Sequence, residues 1–240
     1  MAIIKTFPDS VTLARAAAVH FVECAQEAIA NHGYFAVVLA GGSTPQATYE
    51  VLATMEFATR IEWDKVHVFW GDERCVAPNH EDSNYRMAFE VMLRHSPISV
   101  KQIYRMEGEV EPKKAAKDYE NRLQTFFARK PPRFDLILLG LGIDGHTASL
   151  FPGTKALSET KRWILANYVR KLSTWRLTMT ARLINQAINV TFLVSGQGKA
   201  DVLHRVLAGR YTPDEIPAQI VRPDRGQLRW LMDAAAAARL

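Results

Sequence analysis

Four short, uninterrupted apolar runs constrain this chain more than any other feature: Phe35 to Ala40 (FAVVLA), Val66 to Trp70 (VHVFW), Phe134 to Leu141 (FDLILLGL) and Ile188 to Val194 (INVTFLV). Each is short for a helix, and each leads into Gly or Ser. Runs without polar alternation are buried on both faces, which is the condition of strands in a parallel sheet. Amphipathic stretches suited to helices lie between and beyond them: Ser10 to Ala30, opened by an Asp9/Ser10 capping signal, then Pro45 to Thr54, Ser83 to Leu93, Lys113 to Ala128, Lys199 to Leu207 and Leu228 to Ala238. The alanine-rich end, Ala234 to Ala238, reads as part of a terminal helix, and polar Lys155 to Leu177 as a loop or small excursion over the sheet edge. This alternation predicts one α/β domain over residues 1–240. Its sheet is mostly parallel, twisted and Rossmann-like, with helices on both faces and ligand-binding residues beyond the carboxyl ends of the strands.

With 240 residues, 48% of them apolar, the chain can bury a large core. Its net charge of +5 suits an acidic partner, whether nucleic acid, membrane surface or phosphorylated metabolite. The basic clusters Lys113/Lys114/Lys117 and Arg129/Lys130/Arg133 are diluted by Glu109, Glu111, Asp118 and Glu120 and lack interleaved aromatics, so a nucleic-acid partner is not expected. Two cysteines, Cys24 and Cys75, encode neither a disulfide framework nor a cysteine zinc site. No leader pattern opens the chain, and no run reaches the roughly eighteen apolar residues of a membrane span. A cytoplasmic protein without a membrane partner is expected, as monomer or homodimer. The seven histidines form no HExxH and there is no CxxC, so neither metal nor cofactor is expected.

The strand ends carry the chemistry. Gly41-Gly42-Ser43-Thr44-Pro45 follows the first run and opens a helix, where glycines admit an anion to the backbone and N–H groups, hydroxyls and the helix dipole favour negative charge. It is neither GxGxxG nor a P-loop, which disfavours nucleotides; alone, it is equally an ordinary strand-to-helix turn. Asp72-Glu73-Arg74 follows the second run and offers carboxylates to hydroxyls and a guanidinium to an anion, with Asp82-Ser83-Asn84-Tyr85-Arg86 reading as a capped helix start that buttresses the loop. The third run leads into Gly140-Leu141-Gly142-Ile143-Asp144-Gly145-His146-Thr147-Ala148-Ser149-Leu150-Phe151-Pro152-Gly153, where a histidine suited to general-base work stands two residues from a carboxylate. Arg176 and Lys199, the latter in Ser195-Gly196-Gln197-Gly198-Lys199-Ala200, could reach a shared anion if the strand ends converge. Nucleophilic catalysis is disfavoured, since there is no GxSxG elbow and Ser43 lacks a local base.

Together LAGGSTP, FWGDERCVAPNHEDSNYRMA and DLILLGLGIDGHTASLFPG closely resemble the 6-phosphogluconolactonase family of the pentose phosphate pathway, and WRLTMT, VSGQGKA and PAQIVRPDRGQLRWLMD extend the resemblance over nearly the whole chain. The resemblance implies a sugar-phosphate substrate and hydrolysis of its lactone. His146 would activate water, and Asp72 and Asp144 would orient the sugar or the histidine. Gly42, Ser43, Thr44, Arg176 and Lys199 would surround the phosphate, with Arg74 there or at the oxyanion. The related glucosamine-6-phosphate deaminases typically carry a glutamate where this chain has Phe151, and DEY where it has Asp72-Glu73-Arg74. A deaminase or isomerase is the enzymatic alternative, and a sugar-phosphate sensing module the non-enzymatic one. The first helix begins almost at once, leaving no room for a preceding helix-turn-helix.

Overall fold

The structure is a computed structural model and describes residues 2–128, 130 and 132–240; Arg129 of the second basic cluster lies outside the described residues. The chain runs through β1 (Ile3–Phe7), α1 (Ser10–His32), β2 (Phe35–Leu39), α2 (Ser43–Leu52), α3 (Met55–Ala58), β3 (Val66–Trp70), β4 (Asp72–Arg74), α4 (Asn84–Val91), β5 (Ile103–Tyr104) and α5 (Pro112–Phe126). It continues through β6 (Leu136–Leu139), β7 (Ile164–Val169), β8 (Thr174–Met179), α6 (Ala181–Ile184), β9 (Asn189–Val194), α7 (Ala200–Leu207) and β10 (Gln227–Asp233). Seven strands form one sheet in the order β1-β10-β9-β6-β2-β3-β5, every neighbouring pair parallel.

All four apolar runs are strands of this sheet, and their lack of alternation has a direct cause. Successive side chains of a strand point to opposite faces, and both faces here are covered. On β2, Phe35, Val37 and Leu39 enter a core shared with α1, α2, α3 and α4. Ala36 and Val38 enter a second core with α5, α6 and α7. The expected helix starts hold as well: Asp9 caps α1 by accepting from the Thr12 N–H at 2.7 Å, and Ser83 caps α4 through the Arg86 N–H at 3.1 Å.

One expectation is overturned and one is sharpened. Leu228 to Ala238 is not a helix: Gln227–Asp233 is β10, hydrogen-bonded between β1 and β9, and Ala234 to Ala238 forms turns. Trp230, Leu231 and Met232 are buried, Trp230 stacking on Phe192 of β9 with ring centroids 3.9 Å apart. Sheet pairing on both edges outweighs the helix propensity of the alanines.

Lys155 to Leu177 is the expected small excursion over the sheet edge, but an ordered one. It contains β7 and most of β8, which join β4 in a three-stranded antiparallel sheet. Ile164, Leu177 and Met179 of this small sheet pack into the second core, so that face is covered by strands as well as helices. Glu120 of α5 fixes the arrangement by accepting from Arg162 Nε and the Trp163 N–H, each at 2.5 Å. The small sheet brings β4 and β8 over the carboxyl edge of the large one.

Candidate active site

Four strand ends, β2, β3, β6 and β9, converge at that edge. After β2 the chain turns at Gly42, whose φ of 98° lies in the left-handed region that favours glycine, and α2 starts there with no side chain capping it. Its first turn therefore offers unshared N–H donors and the positive end of its dipole. Thr44 Oγ1 lies 2.7 Å from Ser195 Oγ, joining this turn to the loop after β9. Gly196 in that loop donates its N–H to both carboxylate oxygens of Asp233, at 3.1 and 3.0 Å, so β10 holds the segment that presents Lys199.

Lys199 reaches the same hollow, about 250 Å³, as Gly42, Ser43, Thr44, Asp72, Arg74 and His146. Partial burial of Lys199 holds its ammonium below the usual lysine range. A second hollow of about 240 Å³ adjoins the first, sharing Asp72, Arg74, His146 and Ala148 and adding Asp144, Lys171 and Arg176. Among the expected phosphate ligands, Arg176 thus stands apart from Lys199 and the glycine turn. It is paired in register with Arg74 across β4 and β8. Burial, and then the neighbouring charge of Arg74, push its guanidinium below the usual arginine range. Two cations opposed on an antiparallel pair repel one another, which an anion between them would relieve.

His146 forms the divide between the hollows. Its Nδ1 lies 2.5 Å from Asp144 Oδ1, and its ring stacks on Phe151 with centroids 4.1 Å apart. Lys171 donates to the other Asp144 oxygen at 3.1 Å. The hydrogen bond from His146, together with its charge and the hydrogen bond from Lys171, holds the Asp144 carboxyl well below the usual carboxylate range. An ionised carboxylate on Nδ1 favours the tautomer that leaves Nε2 free to accept a proton.

Asp72 is buried with both carboxylate oxygens engaged: Ser149 Oγ donates to Oδ2 at 2.6 Å and Asn84 Nδ2 to Oδ1 at 3.2 Å. Glu73 turns away into the protein. It accepts the N–H groups of Arg74, Asn84 and Tyr85, each at 2.8 Å, and the Ser83 hydroxyl at 3.1 Å, so it anchors the start of α4. Burial nevertheless raises its carboxyl above the usual range. Arg74 donates to the Asp82 backbone carbonyl at 2.5 Å, while the side-chain buttress expected of that segment comes from Ser83 on Glu73 and Asn84 on Asp72. Sequence reasoning did not single out Ser149, Lys171, Ser195 or Asp233. Ser149, Ser195 and Asp233 lay inside motifs already noted without being assigned a role; Lys171 lay in a segment whose strands had no local signature.

Among the described residues no three His, Cys, Asp or Glu side chains gather as a metal-binding group, and no helix is long and apolar enough to cross a membrane.

A parallel sheet with a glycine turn, an uncapped helix start, a lysine and a carboxylate-paired histidine lining one hollow at its carboxyl edge defines an α/β protein with a polar, cation-bearing cleft at its strand ends. Residues 8–230 match the family model for glucosamine-6-phosphate isomerases/6-phosphogluconolactonase, and the chain belongs to that family. It is 45% identical to a 6-phosphogluconolactonase of Synechocystis, over 88% of this chain and 86% of that one. It is 39% identical to a 6-phosphogluconolactonase of Nostoc, over 99% and 98%. Among solved structures, the 6-phosphogluconolactonase from Trypanosoma brucei superposes with a TM-score of 0.88 at 30% identity, covering 100% of this chain and 99% of the other. A monomeric glucosamine-6-phosphate deaminase shares the fold, with a TM-score of 0.82 at 20% identity over 99% and 100%.

Proposed function

We propose that this protein hydrolyses 6-phospho-D-glucono-1,5-lactone to 6-phospho-D-gluconate, with His146 as the general base. The observation that carries the reading is the 2.5 Å contact between His146 Nδ1 and Asp144 Oδ1 at the divide between a cation-lined phosphate cradle and a second polar hollow. The phosphate sits in the cradle of Gly42, Ser43, Thr44 and Lys199, and Asp72 accepts a sugar hydroxyl. This anchoring sets the lactone carbonyl against His146.

Nε2 of His146 takes a proton from water as the water oxygen adds to the carbonyl carbon. Asp144 supports the imidazolium that forms, and Arg74 with Arg176 faces the oxyanion. The intermediate then breaks its bond to the ring oxygen, which receives the proton from the imidazolium, and the open acid leaves as its carboxylate. Phe151 supports this reading over deamination, because its ring covers His146 where a second acid–base group would be needed.

The test measures lactone disappearance at neutral pH, with the lactone generated in situ and spontaneous hydrolysis subtracted, for wild type and His146→Ala. Wild type accelerates the reaction, and the variant loses about a hundredfold or more. No acceleration by folded wild type would overturn the lactonase reading, and equal acceleration by both would remove His146 from its role.

A further inference from the structure

We propose that Lys171, at the tip of the β7–β8 hairpin, is a positioning residue that sets the orientation and basicity of His146 through Asp144. The inference rests on the reading of His146 as the base. Lys171 lies in the short turn Arg170–Leu172 between β7 and β8, a turn closed by Ser173 in the left-handed conformation at φ 49°. Asp144 belongs to a different part of the molecule, the glycine-rich loop after β6. The two meet because the small sheet folds its hairpin over the carboxyl edge of the large one.

The contact divides the carboxylate. Oδ1 faces His146 Nδ1 at 2.5 Å while Oδ2 accepts from Lys171 Nζ at 3.1 Å. A movement of the Asp144 side chain away from this pose loses both contacts, so the lysine favours the orientation of the carboxylate that presents Nε2 of the histidine. The charge effect has a definite sign. A lone carboxylate stabilises an imidazolium and raises the pH at which the free base appears. A second cation on the same carboxylate offsets that pull, so Lys171 keeps the geometry of the dyad while weakening the carboxylate's hold on an imidazolium.

The other charged groups facing His146 from neighbouring elements are Asp72 and Arg74 on β4, Arg176 on β8 and Lys199 after β9. Among the described residues none of them forms a hydrogen bond or ion pair with Asp144, whereas Lys171 forms both. Removing the Lys171 charge thus acts on His146 through one defined contact.

The experiment compares wild type, Lys171→Met and Lys171→Arg in two ways: kcat/KM for the lactone across pH 5 to 8.5, and an NMR titration of the His146 ring on the free protein. In Lys171→Met the acid limb of kcat/KM and the His146 titration both move up by roughly half a pH unit, the scale of one partly exposed charge contact. Activity therefore falls more at pH 6 than at pH 8, and Lys171→Arg restores both readouts. An unmoved His146 titration, an equal loss of activity at every pH, or failure of the arginine to restore would overturn the proposal. If folded wild type shows no lactonase activity, the lactonase reading fails by itself while the NMR titration still decides whether Lys171 acts on His146.

Discussion

A β-carbon on Gly142 would lie 2.0 Å from His146 Nδ1, closer than any real contact allows. The backbone of the glycine loop is pressed against the ring it serves, and the Gly142 N–H is itself bonded to the His146 carbonyl at 2.8 Å. Gly142→Ala must therefore displace the imidazole from Asp144. Because a misplacement of about 1 Å is enough to cost on the order of a hundredfold in rate, kcat should fall by roughly that factor. Steady-state kinetics beside a thermal melt check it, and kcat within threefold of wild type would contradict the close approach.

Lys199 makes a separate claim on the phosphate. A charge-assisted hydrogen bond contributes about 1.5–3 kcal/mol. Lys199→Met should therefore weaken binding of 6-phosphogluconate by roughly ten- to a hundredfold and leave binding of unphosphorylated gluconate nearly as it was. Calorimetric titration of both ligands checks this, since equal losses for the two would place Lys199 away from the phosphate.

Glu73 is adjacent in sequence to two candidate site residues, yet its predicted effect is on stability. Its two oxygens accept three backbone N–H groups and a hydroxyl at the start of α4. Glu73→Gln replaces one acceptor with an NH2 facing N–H donors, and a buried donor left unsatisfied costs about 1–3 kcal/mol. Urea unfolding should show a loss of that order, with KM little changed below the transition.

His20 gives the fold a pH dependence remote from the active site. It lies on the buried face of α1 with Nε2 3.1 Å from Thr191 Oγ1, and burial, followed by the charges of Arg229 and Lys5, lowers it from 6.5 to about 4. A histidine depressed in the folded state is protonated first in the unfolded chain, so its effect on stability is neutral above pH 6.5. Stability then falls progressively between pH 6.5 and 4, and the contribution levels off below 4. The interval from 6.5 to about 4 corresponds to roughly 3 kcal/mol. Chemical denaturation at several pH values should show a flatter profile across this window for His20→Gln than for wild type. Parallel profiles would mean that His20 takes up its proton without unfolding cost.

The legible part of this molecule is the part whose information is local. FAVVLA or INVTFLV, apolar at every position, reports burial on both faces, and glycines, caps and hydroxyls mark the turns where those strands end. From these the parallel sheet, most of its helices and the loops carrying Gly42, Asp72, Asp144, His146 and Lys199 could be placed beforehand. What only the tertiary structure decided depends on partners distant in sequence. Gln227–Asp233 is a strand because β1 and β9 flank it, although the alanines that follow suggest a helix. β7 and β8 acquire their register from each other and from three residues of β4, too short a segment to announce itself. That pairing sets Arg176 beside Arg74 and carries Lys171 to Asp144. A single strand's side-chain pattern specifies which faces are buried, while the choice of neighbour depends on hydrogen bonds and packing that exist only once the chain has closed.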